Sequence, residues 1–513
     1  MIEFYLNDQP IRTTEAPASA LLDFVRYHEH LMGTKIGCRE GDCGACTVLV
    51  GELTTDGQKV TYQSMTSCLT PLGNAHGKHI VTVEGINAAA GQLTPVQQAI
   101  VEEGGSQCGF CTVGFVMSLT GHSLSEQPAT EKSTIAAIDG NICRCTGYKS
   151  LERAAATLTA QLANRPTQNA VAWLSEKQFV PAYFEGIPAK LAGLRTQLAD
   201  AEAKAKALNE ASFATAGNDA GAVSTSPSGH AQSQNGHGSS FPHAAHPLLG
   251  GGTDLLVQRL EELREQPVRL VFDQSGRRGI RQEAAGRVVL GAATTASHLL
   301  ESELMRSLIP QLPQYLKLVS STPIRNMGTV AGNFINGSPI GDLTIMFLAL
   351  GASITLADLT GATRELALPN VYLGYKRLAK TADEQVTEIS FPTSLPGDFF
   401  NFEKVSKRTH LDIASVNSAA WLRVENGIIQ AARVSAGGVG PVPLYLARTS
   451  DFLVGRELSA ETVAAANEVM QTEISPISDV RGTVEYKRLL LRQLLLAHFL
   501  RFAPEEIVVS NLI

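Results

Sequence analysis

Eight cysteines in two groups of four constrain this chain of 513 residues more than any other feature. The first group has the C-x4-C-x2-C…C spacing of plant-type [2Fe–2S] sites and consists of Cys38, Cys43, Cys46 and Cys68. The second group joins a C-x2-C pair to a later C-x-C pair and consists of Cys108, Cys111, Cys143 and Cys145. Because the two groups use every thiol, the sequence predicts two iron–sulfur clusters and a part in electron transfer.

Zinc and disulfides are the alternatives for these cysteines. Zinc sites usually pair two C-x2-C knuckles, which the first group lacks, and a C-x-C pair makes a strained zinc chelate. An even number of cysteines also suits disulfides in a secreted protein. The opening MIEFYLNDQPIRTTEA, however, has no basic region followed by an apolar region, so it does not resemble a signal peptide. We therefore expect thiolates in a reducing cytoplasm.

Charge and hydropathy exclude two classes of partner. A net charge of −7 and a pI near 6.0 argue against binding to nucleic acid. No apolar run is long enough to cross a membrane, so no membrane partner is expected either. The length predicts several domains.

The first two predicted domains are β-rich (1–88) and helical (89–165). Strands are predicted at 2–6, 46–50, 60–62 and 80–84 from short runs of β-branched or alternating apolar residues. In the helical part, Thr94-Pro95 predicts a capped helix start, and further helices are expected near Cys111 and after Gly147. Both cysteine pairs of the second group then lie near helix N-termini, which favours thiolates and the negative charge of a cluster.

The remaining sequence predicts a linker and two further domains. The linker covers 166–178, and a domain at 179–395 contains a helix at 187–208 and a disordered, low-complexity insertion at 210–246. We interpret the histidines of this insertion as solvated rather than metal-binding, and they are His230, His237, His243 and His246. Strands are predicted at 268–273 and 287–292 and helices at 342–350 and 486–502, the last a leucine-rich core helix of an α+β domain at 398–513.

Two glycine-rich segments are candidates for binding a cofactor. Leu248–Leu255 contains three consecutive glycines, whose backbone N–H groups suit a diphosphate, although a plain surface turn has the same composition. The segment Ser321–Asp342 is dense in Gly, Asn, Ser and Thr between apolar elements, which indicates a bound polar cofactor or a long ordered loop. No G-x-G-x-x-G fingerprint is present, so a Rossmann site is not indicated.

Together these segments resemble the molybdenum hydroxylases, and most closely the small iron–sulfur/FAD subunits of bacterial xanthine dehydrogenases. The similar motifs are GCREGDCGACTV, QCGFCTVGFVMS, GNICRCTGY, GGGTDL and TPIRNMGTVAGNFINGSPIGD. The resemblance covers the chain except 210–246. It implies a multidomain α+β protein with a β-grasp plant-type ferredoxin domain, a helical-bundle [2Fe–2S] domain, a non-Rossmann α+β FAD-binding domain and a C-terminal α+β flavoprotein domain.

The resemblance also implies roles for individual residues. The first cysteine group would bind the cluster nearer the flavin, the second group would bind the cluster nearer molybdenum, and Gln107 would touch the pterin. The expected FAD contacts are Leu249, Gly250, Gly251, Gly252, Thr253, Asp254, Leu255, Thr329, Gly332, Asn333, Asn336, Asp342, Val386 and Lys404. The stretch Lys404–Arg408 lies where family members guide the nicotinamide nucleotide, although it also suits a solvated loop.

The implied function is electron transfer during hypoxanthine and xanthine hydroxylation. Electrons would pass from a separate molybdopterin-binding large subunit through two [2Fe–2S] clusters to FAD and then to NAD+. The expected assembly is a cytoplasmic heterodimer that dimerises again, and no catalytic acid or base is expected in this chain. The alternatives are the same role in an aldehyde or N-heterocycle hydroxylase, and a standalone iron–sulfur flavoprotein.

Overall fold

A computed structural model describes residues 1–87, 91–216, 246–274, 276–284, 286–393, 397–408, 411–505 and 507 of the chain. Most of the insertion predicted at 210–246 lies outside these residues, as do His230, His237 and His243. None of the helices in the described part is long and apolar enough to cross a membrane.

The first domain is a five-stranded sheet with short helices. Its elements are β1 Ile2–Leu6, β2 Gln9–Thr13, α1 Leu21–Asp23, β3 Thr47–Leu53, β4 Val60–Thr66, β5 His79–Val81 and α2 Val83–Ile86. Ile2, Phe4 and Leu6 are buried at alternate positions, as expected for a strand with one covered face. The strand order is β2-β1-β5-β3-β4, with β1 and β5 parallel. The strands predicted at 2–6, 46–50 and 60–62 are confirmed, whereas the one predicted at 80–84 ends at Val81.

The second domain is a bundle of four helices. They are α3 Pro95–Glu102, α4 Thr112–Leu124, α5 Glu131–Ala136 and α6 Lys149–Gln161. The start of α3 is as predicted, because Thr94 and Gln97 form a reciprocal capping box. The helices expected near Cys111 and after Gly147 are confirmed as α4 and α6. The sequence does not predict α5, since Thr134 is its only buried residue and it has no apolar period.

Residues 170–198 pack against the first two domains, and the structure of the longer segment 166–216 corrects two predictions. The predicted linker contains α7 Val171–Glu176, whose Leu174 is fully buried in the core of the helical bundle. The next helix, α8 Ile187–Ala216, continues past the expected end at 208 into the predicted insertion. Ile187 and Leu191 pack against Leu53 of the first sheet, so the start of α8 belongs with the iron–sulfur domains rather than with the third domain.

The third domain contains a two-stranded parallel pair and a five-stranded antiparallel sheet covered by helices. Its elements are β6 Leu248–Leu249, α9 Leu255–Gln258, α10 Leu260–Arg264, β7 Arg269–Leu270, β8 Ile280–Glu283, β9 Arg287–Gly291, α11 Ala296–Glu301, α12 Glu303–Leu308, α13 Leu312–Lys317, α14 Thr322–Arg325, α15 Val330–Asn336, α16 Asp342–Ala349, β10 Ser353–Ala357, β11 Thr363–Ala367, β12 Tyr372–Gly374, β13 Arg377–Leu378 and β14 Gln385–Pro392. The predicted strand at 287–292 and helix at 342–350 are confirmed, but only Arg269–Leu270 of the strand predicted at 268–273 forms. The segment predicted as a cofactor-binding or ordered loop, 321–342, forms α14 and α15.

The fourth domain packs three helices on a four-stranded antiparallel sheet of order β15-β16-β17-β18. Its elements are β15 Phe399–Val405, β16 Val416–Glu425, β17 Ile428–Gly437, β18 Leu444–Tyr445, α17 Ala447–Leu453, α18 Ala460–Glu473 and α19 Val484–Phe502. Leu491, Leu495 and Phe499 of α19 are fully buried, which confirms the predicted leucine-rich core helix.

Buried contacts join the domains. Leu249 and Leu256 of the third domain share one apolar cluster with Phe4 and Leu69 of the first. Arg325 forms an ion pair with Asp139 of the helical bundle at 2.7 Å, and its side chain is only 6% exposed. The position of the third domain is therefore set by contacts with both iron–sulfur domains.

Removing the charge of Asp139 should destabilise the protein, because it leaves the buried Arg325 guanidinium without its carboxylate. We expect Asp139→Asn to lower the free energy of unfolding by roughly 3 kcal/mol, measured by urea denaturation. The matched control is Glu152→Gln, which breaks the surface pair with Lys149 and should cost less than about 1 kcal/mol. Equal effects of the two substitutions would contradict the structural role of the buried pair.

His79 should make stability depend on pH. Burial lowers its pKa to about 4, and the neutral ring is satisfied by Tyr62 Oη and the Asn7 carbonyl, each at 2.8 Å. Since the unfolded state binds the proton more readily, this stability is present above pH 6.5 and is lost as the pH falls towards 4. In His79→Gln, the loss of unfolding free energy between pH 7 and pH 5 should be about 2 kcal/mol smaller than in the unchanged protein. An unchanged pH dependence in urea denaturation would contradict this assignment.

Candidate functional site

The first four-cysteine site is a tight loop of residues 37–46 together with Cys68. Gly37 has no room for a side chain, since a Cβ would lie 2.6 Å from Cys43 Sγ. Arg39, Gly41 and Gly44 have φ angles of 58°, 80° and 68°, so the loop turns back repeatedly through left-handed conformations. This backbone directs the N–H groups of Glu40 and Cys43 at Cys38 Sγ, each at 3.4 Å.

The second four-cysteine site lies where α4 and α6 begin. Cys108 and Cys145 are exposed, and their sulfurs are 3.6 Å apart. Cys143 is 5% exposed, and its Sγ accepts hydrogen bonds from the N–H groups of Cys145 and Thr146 at 3.4 Å and from Thr146 Oγ1 at 3.2 Å. This site therefore has one buried side and one side open to the surface.

Within each site the thiols interact in pairs. The pairs are Cys38 with Cys43, Cys46 with Cys68, Cys108 with Cys145 and Cys111 with Cys143. The Cys43 thiol, helped by backbone N–H groups, lowers the pKa of Cys38 to about 5. Burial, followed by the interaction with Cys143, raises the pKa of Cys111 to about 12.

This pairing bears on the choice between zinc and iron. A tetrahedral zinc ion needs four ligands around one point. A [2Fe–2S] cluster instead takes two protein ligands at each of two irons, so two separate pairs of thiols fit it better.

A short backbone contact joins the two cysteine sites. The carbonyl of Cys43 accepts a hydrogen bond from the N–H of Ile142 at 3.0 Å, and Ile142 precedes Cys143. The Asn141 side chain donates to the Gly44 carbonyl at 3.1 Å beside it. One hydrogen bond thus connects the backbone of a cysteine in one site to the residue next to a cysteine in the other.

A cavity of about 960 Å³ lies between the first cysteine loop and the third and fourth domains. It is as large as pockets that enclose sizeable cofactors. Most predicted FAD contacts line it: Gly250, Gly251, Gly252, Thr253, Asp254, Leu255, Thr329, Gly332, Asn333, Asn336, Asp342 and Val386. A smaller cavity of about 350 Å³ beside Tyr62 and Phe184 contains none of the predicted residues.

The glycine segment forms a close-packed cradle at the wall of this cavity. A Cβ on Gly251 would lie 1.9 Å from the carbonyl oxygen of Met327, and one on Gly252, whose φ is 87°, would lie 2.4 Å from the Leu69 carbonyl. In the described part of the chain, the N–H groups of Gly251, Gly252 and Thr253 donate to no protein acceptor. Adjacent free N–H groups are the donors that a diphosphate needs, so the cradle fits FAD.

Two partly buried carboxylates form another part of the wall. Asp342 accepts from Lys404 Nζ at 2.7 Å and from Asn417 Nδ2 at 2.6 Å. Burial raises the pKa of Asp342, and the Lys404 charge opposes this rise. Asp254 accepts from Asn336 Nδ2 at 2.7 Å, and burial also raises its pKa. The Ser321 hydroxyl beside the cavity is buried and has no partner among the described residues, as expected for a wall that a polar ligand completes.

Comparison with known protein families gives matches along most of the chain. Residues 4–73 match the 2Fe-2S iron-sulfur cluster binding domain, and residues 82–156 match the [2Fe-2S] binding domain. Residues 231–394 match the FAD binding domain in molybdopterin dehydrogenase, and residues 402–502 match the CO dehydrogenase flavoprotein C-terminal domain. The chain belongs to the molybdenum hydroxylases. It carries two [2Fe–2S] binding domains and an FAD-binding domain, as the sequence predicts.

Relatives of this molybdenum hydroxylase chain include two xanthine dehydrogenases. That of Blastobotrys adeninivorans is 28% identical over 96% of this chain, and xanthine dehydrogenase 1 of Arabidopsis thaliana is 27% identical over 94%. The chain spans about 40% of the length of the first and 38% of the second. Among solved structures, a carbon monoxide dehydrogenase from Hydrogenophaga pseudoflava matches with 28% identity and a TM-score of 0.47, covering 50% of this chain and 91% of that one.

Two predicted FAD contacts of this molybdenum hydroxylase chain do not line the cavity. Leu249 is fully buried in the core beneath the cradle. Lys404 lies behind the wall, where its ammonium group contacts Asp342 and the Leu318 carbonyl. Gln107, predicted to touch a pterin and not FAD, is exposed beside the second cysteine site. His246, predicted within the insertion, instead borders the cavity.

Several lining residues escape prediction from the sequence. Glu40 and Asp42 of the first cysteine loop reach the cavity, and so do Lys376 and Arg481, whereas Arg408, which also lines it, belongs to the stretch predicted to guide the nicotinamide nucleotide. The charged residues of the CREGDC motif are a local signal that could have suggested a second role for that loop. No sequence pattern connects Lys376 and Arg481 to the cradle, because the fold alone brings these distant segments together.

Substituting Gly251 should disrupt the cradle, since a methyl group would meet the backbone carbonyl of Met327. We expect Gly251→Ala to lower the thermal midpoint and the flavin-to-protein absorbance ratio of the purified chain. Gly250→Ala is the matched control for folding, because a Cβ there would have no neighbour closer than 3.8 Å. If Gly251→Ala unfolds like Gly250→Ala and retains full flavin, the cradle does not have this structure.

Proposed function

We propose that this chain is the electron-transfer subunit of a xanthine dehydrogenase. It carries electrons from a molybdopterin-binding large subunit to NAD+ during hypoxanthine or xanthine hydroxylation. The two relatives support the choice of substrate, since both are xanthine dehydrogenases.

The arrangement of the two cysteine sites and the cavity carries this proposal. The second site reaches the surface through Cys108 and Cys145, and the Cys43–Ile142 hydrogen bond joins it to the first site. Glu40 and Asp42 of the first loop border the cavity. The three sites therefore follow one another from the exposed surface to the cavity, the order that stepwise electron transfer requires.

The proposed ligands follow from this order. Two irons would be held by Cys38, Cys43, Cys46 and Cys68, and two more by Cys108, Cys111, Cys143 and Cys145. The residues Gly250 to Leu255 would hold the FAD diphosphate, with Asp254 and Asn336 beside it. When bound, the clusters supply one-electron transfer, and FAD converts it to the two-electron chemistry of NAD+. The protein groups would position these cofactors.

Part of the cavity lining suits an anionic nucleotide. Lys376, Arg408 and Arg481 line the cavity together with the acidic Glu40, Asp42 and Asp412. The positive side chains would attract phosphate groups. The predicted nicotinamide-guiding stretch Lys404–Arg408 ends at this lining. Lys404 would act from behind the wall by neutralising Asp342.

The exposed side of the second cysteine site is the proposed docking surface for the large subunit. Gln107, Phe110 and Tyr148 surround it, and the two aromatic side chains are 46% and 39% exposed. Aromatic residues at a surface are typical of an interface. We propose that Gln107 contacts the pterin there, in a cytoplasmic heterodimer that dimerises again.

Metal analysis and anaerobic titration with NADH test this function. The purified chain should contain about four irons and about one FAD, without zinc.

In the titration, NADH should bleach the flavin and then the clusters. The Cys143→Ser variant should lose about half of the iron and retain flavin bleaching. Dithionite is the control for intact cofactors. If dithionite reduces the protein and NADH does not, the NAD-linked role is wrong, and zinc in place of iron would refute the cluster assignment.

A further inference from the structure

We propose that the Thr146 hydroxyl raises the reduction potential of the cluster at the second cysteine site through its hydrogen bond to Cys143 Sγ. The inference rests on the proposed function, since the site must hold a cluster. Thr146 would be a tuning residue that acts through a ligand and not a ligand itself.

The hydroxyl lies close to the sulfur and shares it with two backbone donors. Thr146 Oγ1 is 3.2 Å from Cys143 Sγ, and the N–H groups of Cys145 and Thr146 are each 3.4 Å from the same atom. Three donors thus converge on one thiolate. Of the three, the hydroxyl is the one that a side-chain substitution can remove.

A second contact fixes the direction of the hydroxyl proton. The N–H of Tyr148 donates to Thr146 Oγ1 at 3.3 Å, which occupies a lone pair of that oxygen. The N–H of Cys143 in turn donates to Tyr148 Oη at 3.0 Å. The loop from Cys143 to Tyr148 therefore closes on itself, and the single hydroxyl proton of Thr146 is donated to the sulfur.

The backbone of this loop is held in an uncommon conformation. Gly147 and Tyr148 have φ angles of 67° and 68°, and a left-handed conformation is unfavourable for tyrosine. Surrounding contacts must compensate for such a residue. Tyr148 makes such contacts through its hydrogen bonds with Thr146 and Cys143. The conformation of the loop therefore sets the position of the Thr146 hydroxyl.

The burial of Cys143 strengthens the effect of this hydrogen bond on the reduction potential. Cys143 is 5% exposed, whereas Cys108 and Cys145 are exposed to solvent. A dipole acts more strongly where water does not screen it. Reduction adds negative charge that spreads onto the ligand sulfurs, so a donor at Cys143 stabilises the reduced form and raises the potential.

The test is an anaerobic redox titration of the full chain with dithionite as electron donor, followed by electron paramagnetic resonance. In Thr146→Val the ratio of reduced to oxidised cluster at a fixed solution potential should fall about tenfold, which is about 59 mV for a one-electron couple. The potential of one cluster should move and that of the other should not. Thr146→Ser keeps the hydroxyl and should titrate like the unchanged protein.

The matched control is Thr112→Val. Thr112 also lies beside a cysteine of this site, but its hydroxyl pairs with Ser106 Oγ at 2.9 Å. The control should leave both potentials unchanged, and iron content should equal that of the unchanged chain in every variant. Unmoved potentials in iron-loaded Thr146→Val would overturn the inference, as would equal shifts of both clusters or of the Thr112 variant. A chain without iron would instead contradict the proposed function.

Discussion

The loop of residues 37–46 is the constraint on which the rest of the arrangement depends. Its carbonyls at Cys43 and Gly44 contact the second cysteine site, while Glu40 and Asp42 face the cavity. A ten-residue segment therefore touches all three candidate cofactor sites. Because left-handed residues fix its shape, a change in this backbone would alter several distances at once.

The third domain depends on the first for part of its core. The segment that carries the cradle is only a short parallel strand pair with two short helices, which is too small to bury an apolar core alone. Leu249, Leu256 and Leu263 instead pack into the apolar cluster of the first domain. The Asn74 side chain also donates to the Gly250 carbonyl at 2.9 Å. The cradle is thus built directly on the ferredoxin-like domain, which keeps the flavin cavity beside the first cysteine site.

Local sequence signals predict the elements and most of the candidate site. The cysteine spacing, the Thr94 cap, the alternation in Ile2–Leu6 and the three glycines all act over a few residues, and the structure contains each of them. The features that the sequence does not predict depend on contacts between distant residues. The buried face of α7 can be recognised only from its packing against the helical bundle. Lys404 lies behind the cavity wall because its ammonium group contacts Asp342, which is 62 residues away in the sequence. Contacts of this kind depend on the assembled fold and leave no periodic pattern.

Among the described residues, three of the four ion pairs with the least exposed cations lie at junctions between domains, and the fourth, Lys487–Asp479, lies within the fourth domain. Arg325–Asp139 joins the third domain to the helical bundle, Lys78–Asp273 joins the first to the third, and Lys404–Asp342 joins the third to the fourth. The Lys78, Arg325 and Lys404 side chains are 5%, 6% and 2% exposed. Buried pairs are weak evidence for stability, because desolvation offsets much of their attraction, yet a mispaired charge costs several kcal/mol. These ion pairs therefore raise the free energy of alternative domain arrangements, in which the charges would be unpaired, more than they stabilise the native arrangement. Electron transfer needs fixed distances between centres held by different domains, and junctions of this kind keep those distances constant.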